Sequence, residues 1–214
     1  MYNNLSTAVV LAAAIGLAAC SSDTTNTTGT KTDAETAAKQ VPAGPPQPIA
    51  AKAAFWEMYT PAHAWAADLV AISLKSGEVA GVKNADGKAG VWTAVFGSPS
   101  QSAARTYVYS VADQLPDITK GVKANLAEAW RGPTAAVMPF QTGDFKIDSE
   151  AAYKAAAAKA ADWLKEKDNA QKPVSLSLGA ASRFPAPVWV ILFGTSKLGF
   201  LTVVNASTGD IISK

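Results

Sequence analysis

Nucleophilic catalysis needs a nucleophilic side chain beside a base, and that base is usually a histidine. The 214-residue chain contains one histidine, His63, and one cysteine, Cys20. His63 lies in an Ala-rich stretch next to Trp65, which favours a packing or surface role over that of a catalytic base. One cysteine and one histidine are also too few for a zinc site built from these ligands. The sequence therefore predicts a non-enzyme, with no catalytic residue, no metal site and no cofactor.

Carboxylates are the remaining side chains that could work as an acid–base pair. They are scattered through the sequence, at Asp68, Glu78, Asp86, Asp113, Asp117, Glu128, Asp144 and Glu150. Their spacing singles out no pair, so an enzyme remains an alternative only if two of them meet in a closed pocket with strongly perturbed pKa values. The run Gly87-Lys88-Ala89-Gly90 could be pictured as a phosphate loop, but it precedes a predicted strand, which favours a hairpin turn.

The position of Cys20 gives the thiol a different chemistry. It follows an apolar stretch, Leu5 to Ala19, that is too short to span a bilayer permanently. The ending Leu17-Ala18-Ala19-Cys20 resembles the lipobox of bacterial lipoproteins. That resemblance implies a signal peptide at residues 1–19 and a lipidated Cys20 as the first mature residue, anchored durably by two or three acyl chains. It implies the bacterial cell envelope, on the periplasmic face of a membrane, and Ser21 favours the outer membrane in the Gram-negative pattern.

The stretch after the cysteine is mostly Ser, Thr, Asn, Lys, Ala and Pro and includes a proline-rich run at 41–48. Such a composition offers too little apolar surface to order itself, which predicts a disordered, flexible tether over residues 20–50. The formal net charge of +2 comes from 19 basic and 17 acidic residues spread along the chain. This field is too weak to recruit nucleic acid, so nucleic acid is not expected as a partner.

Aromatic and apolar residues recur at a nearly constant spacing through the rest of the chain, as in a duplicated sequence. The recurring positions are Trp65 and Trp163, Trp92 and Trp189, and Thr106 and Thr202, at spacings of 98, 97 and 96 residues. We therefore predict two tandem units, at residues 51–143 and 144–214.

Each unit reads as a helix followed by three strands. The first helical stretch covers residues 51–69, with a break near Thr60 because Pro61 can start a helical turn. The second begins after Asp148 or Ser149, either of which can cap it. Short, turn-rich connections between the strands predict antiparallel sheets with a helix on one face. The predicted fold class is α+β, with two helix-plus-antiparallel-sheet units.

The second unit resembles a known domain family. Asp148-Ser149-Glu150-Ala151-Ala152 opens a helix, Val188-Trp189-Val190 lies in a strand, and the chain closes with 203–212, which contains Asn205-Ala206-Ser207-Thr208-Gly209. These features resemble the PepSY-type domain found in propeptides of thermolysin-like metallopeptidases and in bacterial envelope proteins. In the first unit the likeness depends on the internal repeat, and residues 124–130 read as an added helix. The resemblance implies a non-catalytic module that binds or restrains envelope enzymes, with no catalytic residue to carry over.

Six tryptophans are the candidate binding side chains. Four of them, Trp65, Trp92, Trp163 and Trp189, occupy repeated positions, which favours a role in the core. Trp56 and Trp130 have no counterpart in the repeat. Unpaired aromatic residues are enriched in interfaces, so we single these two out as candidates for an interface or a ligand groove.

Two functions follow from these observations. The first is a lipid-anchored envelope protein that binds or restrains another envelope protein, such as a peptidase. The alternative is an envelope module that binds a small apolar or peptide ligand in a groove between the two units, lined by Trp56 and Trp130.

Overall fold

Three helices and eight strands make up the described part of the chain, residues 44–212 of a computed structural model. The elements are α1 (Ala51–Trp65), β1 (Val70–Gly77), β2 (Val91–Ser98), β3 (Ala103–Ser110), β4 (Gly121–Ala124), β5 (Glu128–Ala129), α2 (Ser149–Lys159), α3 (Ala161–Lys165), β6 (Val174–Gly179), β7 (Val188–Phe193) and β8 (Phe200–Asn205). The predicted signal peptide, the lipidation site Cys20 and most of the tether lie outside the described residues. Ile49, near the end of the predicted tether, exchanges backbone hydrogen bonds with Ala89 and belongs to the fold.

All the strands belong to one antiparallel sheet, which confirms the α+β class. Its order is β4-β3-β2-β1-β6-β7-β8, with β5 also paired to β3. The strands of the first half of the chain, residues 51–143, therefore continue into those of the second half, residues 144–212, through the single pair β1–β6. Helices α1 and α2 both pack on the same face, where Phe55 of α1 contacts Phe145 at the entrance to α2.

The core lies between this face and the helices, and two tryptophans are its largest side chains. Trp92 on β2 and Trp189 on β7 are fully buried, and their rings meet edge to face. Each indole N–H donates to a backbone carbonyl two residues before a helix begins, at Ile49 (3.0 Å) and at Ile147 (2.9 Å). A buried indole must find such an acceptor, so these bonds fix where each helix meets the sheet.

Helix α1 runs without interruption through the break predicted near Thr60, and it ends at Trp65 rather than Leu69. Pro61 removes one backbone donor, but it does not end the helix. The apolar side chains of Phe55, Met58 and Ala62 are fully buried against the sheet on either side of it. Their burial outweighs the cost of one lost hydrogen bond. The second helical stretch, in contrast, is divided at Ala160 into α2 and α3.

The helix predicted at residues 124–130 is wrong. This stretch is extended: Ala124 ends β4, which pairs with Tyr107–Ser110, and β5 pairs with the first two residues of β3. The edge of β3 offers unpaired backbone groups, and satisfying them outweighs the helix propensity of Ala, Leu and Glu, which amounts to only tenths of a kcal/mol per residue.

The start of α2 caps both helices. The Asp148 carboxylate oxygen Oδ1 accepts hydrogen bonds from Ser149 N (2.7 Å) and from Lys52 N of α1 (3.0 Å). The buried Ser149 hydroxyl in turn accepts from Ala51 N (2.9 Å). Helix α1 has only Ala50 at its own N-cap position and receives no cap from that side chain. Its free N–H groups are therefore satisfied from the other half of the chain.

A carboxylate also fixes the turn between β2 and β3. Asp68 accepts a bond from the backbone N–H of Ser100 and another from the Ser98 hydroxyl, both 2.7 Å long. These two bonds favour the ionised form and lower the pKa of Asp68 below its ordinary value of 3.8.

We expect these hydrogen bonds of Asp68 to make the stability of the fold depend on pH. A folded-state pKa below the unfolded value contributes stability that is present above 3.8 and is lost as the pH falls through the folded value. Asp68→Asn should therefore melt at a lower temperature than the wild type near neutral pH, and the two melting temperatures should converge as the pH falls below 3.8 and through the folded value. Thermal unfolding followed by circular dichroism measures this difference. A gap that stays constant with pH would show that the carboxylate charge has no part in it.

Candidate functional site

The two halves of the sheet are joined by one short strand pair, β1–β6, which we call the seam. The two strands separate beyond both of its ends. Strands β1 and β6 pair at three positions, from Ser73–Gly179 to Lys75–Ser177. Beyond each end of this ladder the two strands diverge, so each end of the seam forms a fork with strand edges on both sides.

The fork at the Ser73 end is filled by the chain itself. The connection from β5 to α2 enters it in an extended conformation: Met138 N donates to Ala180 O (2.9 Å), and Phe140 N donates to Ala71 O (2.8 Å). The side chain of Phe140 is buried in the core. An extended segment with an apolar side chain thus satisfies the strand edges at this end.

The fork at the Lys75 end is open, and here lies a cleft of about 680 Å³. This volume falls within the range of ligand-binding pockets. Its walls come from both halves: the β1–β2 connection of the first half, and α2 with the approach to β6 of the second. The lining residues are Glu78, Val79, Ala80, Val82, Lys83, Asn84, Ala85, Asp86, Gly87, Lys88, Gln114, Tyr153, Ala170, Gln171, Lys172, Pro173, Val174 and Leu176.

The strand edge in this cleft is only partly satisfied. Leu176 N–H points toward β1, but it donates to the Ser76 hydroxyl (2.9 Å) rather than to a backbone carbonyl. Hydrogen-bonding directions alternate along an antiparallel strand, so the N–H and C=O of Val174 point to the same side. The ladder with β1 ends at Ser177, and within the described residues no strand lies beside Val174 on this side.

A tight turn covers one side of the cleft and packs on α2. Ala85 and Lys88 exchange backbone hydrogen bonds, with Asp86 and Gly87 both at positive φ, which confirms the predicted hairpin turn. Gly87 packs directly on the first turn of α2, where a β-carbon would lie 2.4 Å from the carbonyl oxygen of Ser149. The adjacent Lys88 forms an ion pair with Glu150 (3.0 Å), and both side chains are exposed.

The cleft combines apolar surface with a rim of both charge signs. The apolar part comes from Val79, Val82, Val174, Leu176 and the ring of Tyr153. Side chains of both charge signs also line it, including Glu78, Asp86, Lys83 and Lys172. Burial, and then the nearby Asp86 charge, raise the pKa of the Tyr153 hydroxyl. A site of this kind suits a ligand that has an apolar group and is close to neutral overall.

The structure does not bring Trp56 and Trp130 together. Trp56 lies on α1, is 48% exposed, and contacts the edges of Phe55 and Tyr59. Trp130 lies against Gly97, on the face of the sheet opposite to α1 and α2. There it lines a separate apolar pocket with Pro99, Pro133 and Pro139. Neither tryptophan lines the cleft between the halves.

The two helix tryptophans predicted to lie in the core are only half-buried. Each instead packs beside a cation: the Arg105 guanidinium lies 5.9 Å from the Trp65 ring centroid, and the Lys172 ammonium lies 5.1 Å from that of Trp163. An indole face attracts a cation, so each ring is satisfied at the surface. Their matched positions in the repeat could not distinguish this arrangement from burial.

His63 is exposed on α1 and stacks on Tyr59 at 5.9 Å. Among residues 44–212, no group of three or more His, Cys, Asp or Glu side chains is placed to hold a metal ion. The same residues include no helix with the length and apolarity required to cross a bilayer.

No protein-family profile and no curated protein matches the chain. Among solved structures, it is similar to the crystal structure of a candidate lipoprotein from Clostridium difficile 630. The two sequences are 13% identical, and the similarity covers 74% of this chain and 90% of that chain at a TM-score of 0.47. A likeness this distant assigns neither a family nor a function.

Proposed function

We propose that this chain is a lipid-anchored protein of the bacterial cell envelope that acts by binding another envelope protein, such as a peptidase, and has no catalytic activity of its own. The observation that carries the binding role is the cleft at the open fork, which is lined by a strand edge of β6 and by apolar side chains of both halves.

The lipid anchor is supported by the sequence ending in Cys20 and by the polar tether that follows it. In the Gram-negative pattern, the protein would lie on the periplasmic face, with Ser21 favouring the outer membrane. The tether would then hold the folded part away from the membrane surface, where it can reach a partner.

Replacing the acylated thiol tests the anchor. We expect Cys20→Ser to move the protein from the membrane pellet to the soluble envelope fraction, because the acyl chains supply the membrane affinity. Cell fractionation with immunoblotting measures the distribution, and Ser21→Ala serves as the control that keeps the thiol. If Cys20→Ser still sediments with membranes, the lipid anchor is wrong.

We also infer that the two halves are repeats of one PepSY-like unit. Each follows the order helix, strand, strand, strand, and the Trp92 and Trp189 indoles make equivalent bonds to Ile49 and Ile147. The first half carries the additional strands β4 and β5. This inference supports a binding role only through the family resemblance of the second half.

Affinity capture tests the binding role. The purified mature chain is the bait in a native envelope extract, and the eluate is identified by mass spectrometry. We expect one envelope protein or complex to be enriched over a bait-free control; if it is a peptidase, its activity should fall when the chain is added. Recovery of nothing specific would contradict protein binding.

A small apolar ligand in the same cleft is the second candidate. The apolar side chains of Val79, Val174 and Leu176 favour it. Native mass spectrometry of the chain after incubation with a protein-free envelope extract, with a bound mass of less than a few kilodaltons, would support this candidate over the first.

A further inference from the structure

Backbone groups lack a neighbouring strand at both ends of the β1–β6 seam, and different groups satisfy them at each end. At each end, two strands of one sheet diverge and leave backbone groups without a neighbouring strand. At one end the extended segment Met138–Phe140 supplies the missing hydrogen bonds and buries the Phe140 side chain. At the other end the Ser76 hydroxyl supplies a single bond, and the cleft occupies the remaining space.

From this comparison we propose that the open fork binds an extended peptide segment of the partner protein, which pairs with β6 at Val174 and places a large apolar side chain against Val79, Val174 and Leu176. This proposal deepens the binding role and rests on it. Strand addition of this kind obtains affinity from main-chain hydrogen bonds and specificity from pockets for alternate side chains.

The chemistry of the cleft agrees with such a ligand. The N–H and C=O of Val174 provide one donor and one acceptor for a neighbouring strand, and the apolar floor lies beside them. The rim offers Asp86 and Glu78 as well as Lys83 and Lys172, so a peptide with both charge signs at its ends is accommodated and a polyanion or polycation is not.

The test uses a fluorescein-labelled, end-capped peptide with the sequence Lys-Thr-Val-Phe-Val-Thr-Asp and the purified mature chain. A second peptide carries N-methyl groups on the two valines and on the phenylalanine, which removes main-chain donors and keeps the side chains. We expect saturable fluorescence polarisation with the first peptide at a dissociation constant of about 0.1 mM or lower, and binding at least about 10-fold weaker with the second.

Two variants test whether the peptide binds in the cleft. Val174→Arg fills it from the β6 side, and Ala80→Trp fills it from an exposed position on the β1–β2 connection. Ser175→Arg is the matched control, since Ser175 is exposed on the same strand and does not line the cleft. We expect both cleft variants to weaken binding by about 10-fold or more and the control to change it by less than about 2-fold, with all melting temperatures recorded.

Three results would overturn the proposal: no saturation up to about 1 mM peptide, equal binding of the N-methylated peptide, or unchanged binding by Ala80→Trp. The protein-binding role is judged separately by capture from the envelope extract. If the wild type and Ala80→Trp capture the same envelope protein equally well, the peptide site is wrong and the binding role stands.

Discussion

Replacing Asp148 with alanine is expected to lower the free energy of unfolding by about 2–4 kcal/mol. Its carboxylate accepts hydrogen bonds from the N-termini of both α1 and α2, through Lys52 N and Ser149 N. Most capping residues serve one helix, so the usual cost of losing a cap is incurred twice here. Urea denaturation followed by far-ultraviolet circular dichroism measures the change.

Two further variants test whether the loss of stability comes from the shared helix cap. Asp148→Asn keeps an acceptor oxygen without the charge, and we expect about half of the alanine effect. Asp144→Ala removes an exposed carboxylate four residues earlier that accepts no hydrogen bond from a helix, and it should change stability by less than about 0.5 kcal/mol. If Asp148→Ala is as stable as Asp144→Ala, the shared cap contributes nothing.

The stability of the fold should be equally sensitive to a substitution of Gly87, in the turn above the cleft. Gly87→Ala is expected to destabilise the fold by about 3–5 kcal/mol, because two costs add. The residue has a φ of +81°, and the new β-carbon would lie 2.4 Å from Ser149 O and 2.8 Å from the Glu150 α-carbon. Relieving that overlap requires the turn to lift off α2, which widens the cleft.

Gly81 provides the control within the same connection. Its φ is +78°, nearly that of Gly87, but no atom lies within 4 Å of a β-carbon built there. Gly81→Ala should therefore show only the conformational cost, about 1–2 kcal/mol. Equal effects of the two substitutions in urea denaturation would mean that the turn does not pack on α2 as described.

The sequence predicted the regular strands well because their signals are local. Apolar residues alternate or run continuously around Trp92 and Trp189, and turn residues separate the strands. Local signals failed where distant backbone decided the outcome. Residues 124–130 carry helix-forming side chains, yet they pair with the free edge of β3. Pro61 signals a helix boundary, yet burial of its neighbours carries α1 past it.

The residues of the candidate site could not be predicted from local sequence patterns for the same reason. The groove between the halves was predicted, but with Trp56 and Trp130 in it, since unpaired aromatic residues were the visible signal. The cleft depends on where β1 and β6 separate, which a three-pair ladder sets. Its residues, such as Val174 and Ala80, are unremarkable in type. Only the hairpin turn predicted for the run that begins at Gly87 marked one of its walls.

The central claim is that the folded part of this protein binds another envelope protein through the cleft. Photo-crosslinking in intact cells tests it most directly, with a benzophenone amino acid placed at the exposed position 83 on the rim of the cleft and, as a control, at the exposed position 165 on α3. The account predicts one discrete adduct of higher mass from position 83 and none from position 165. The absence of an adduct from position 83, or the same set of adducts from both positions, would contradict it.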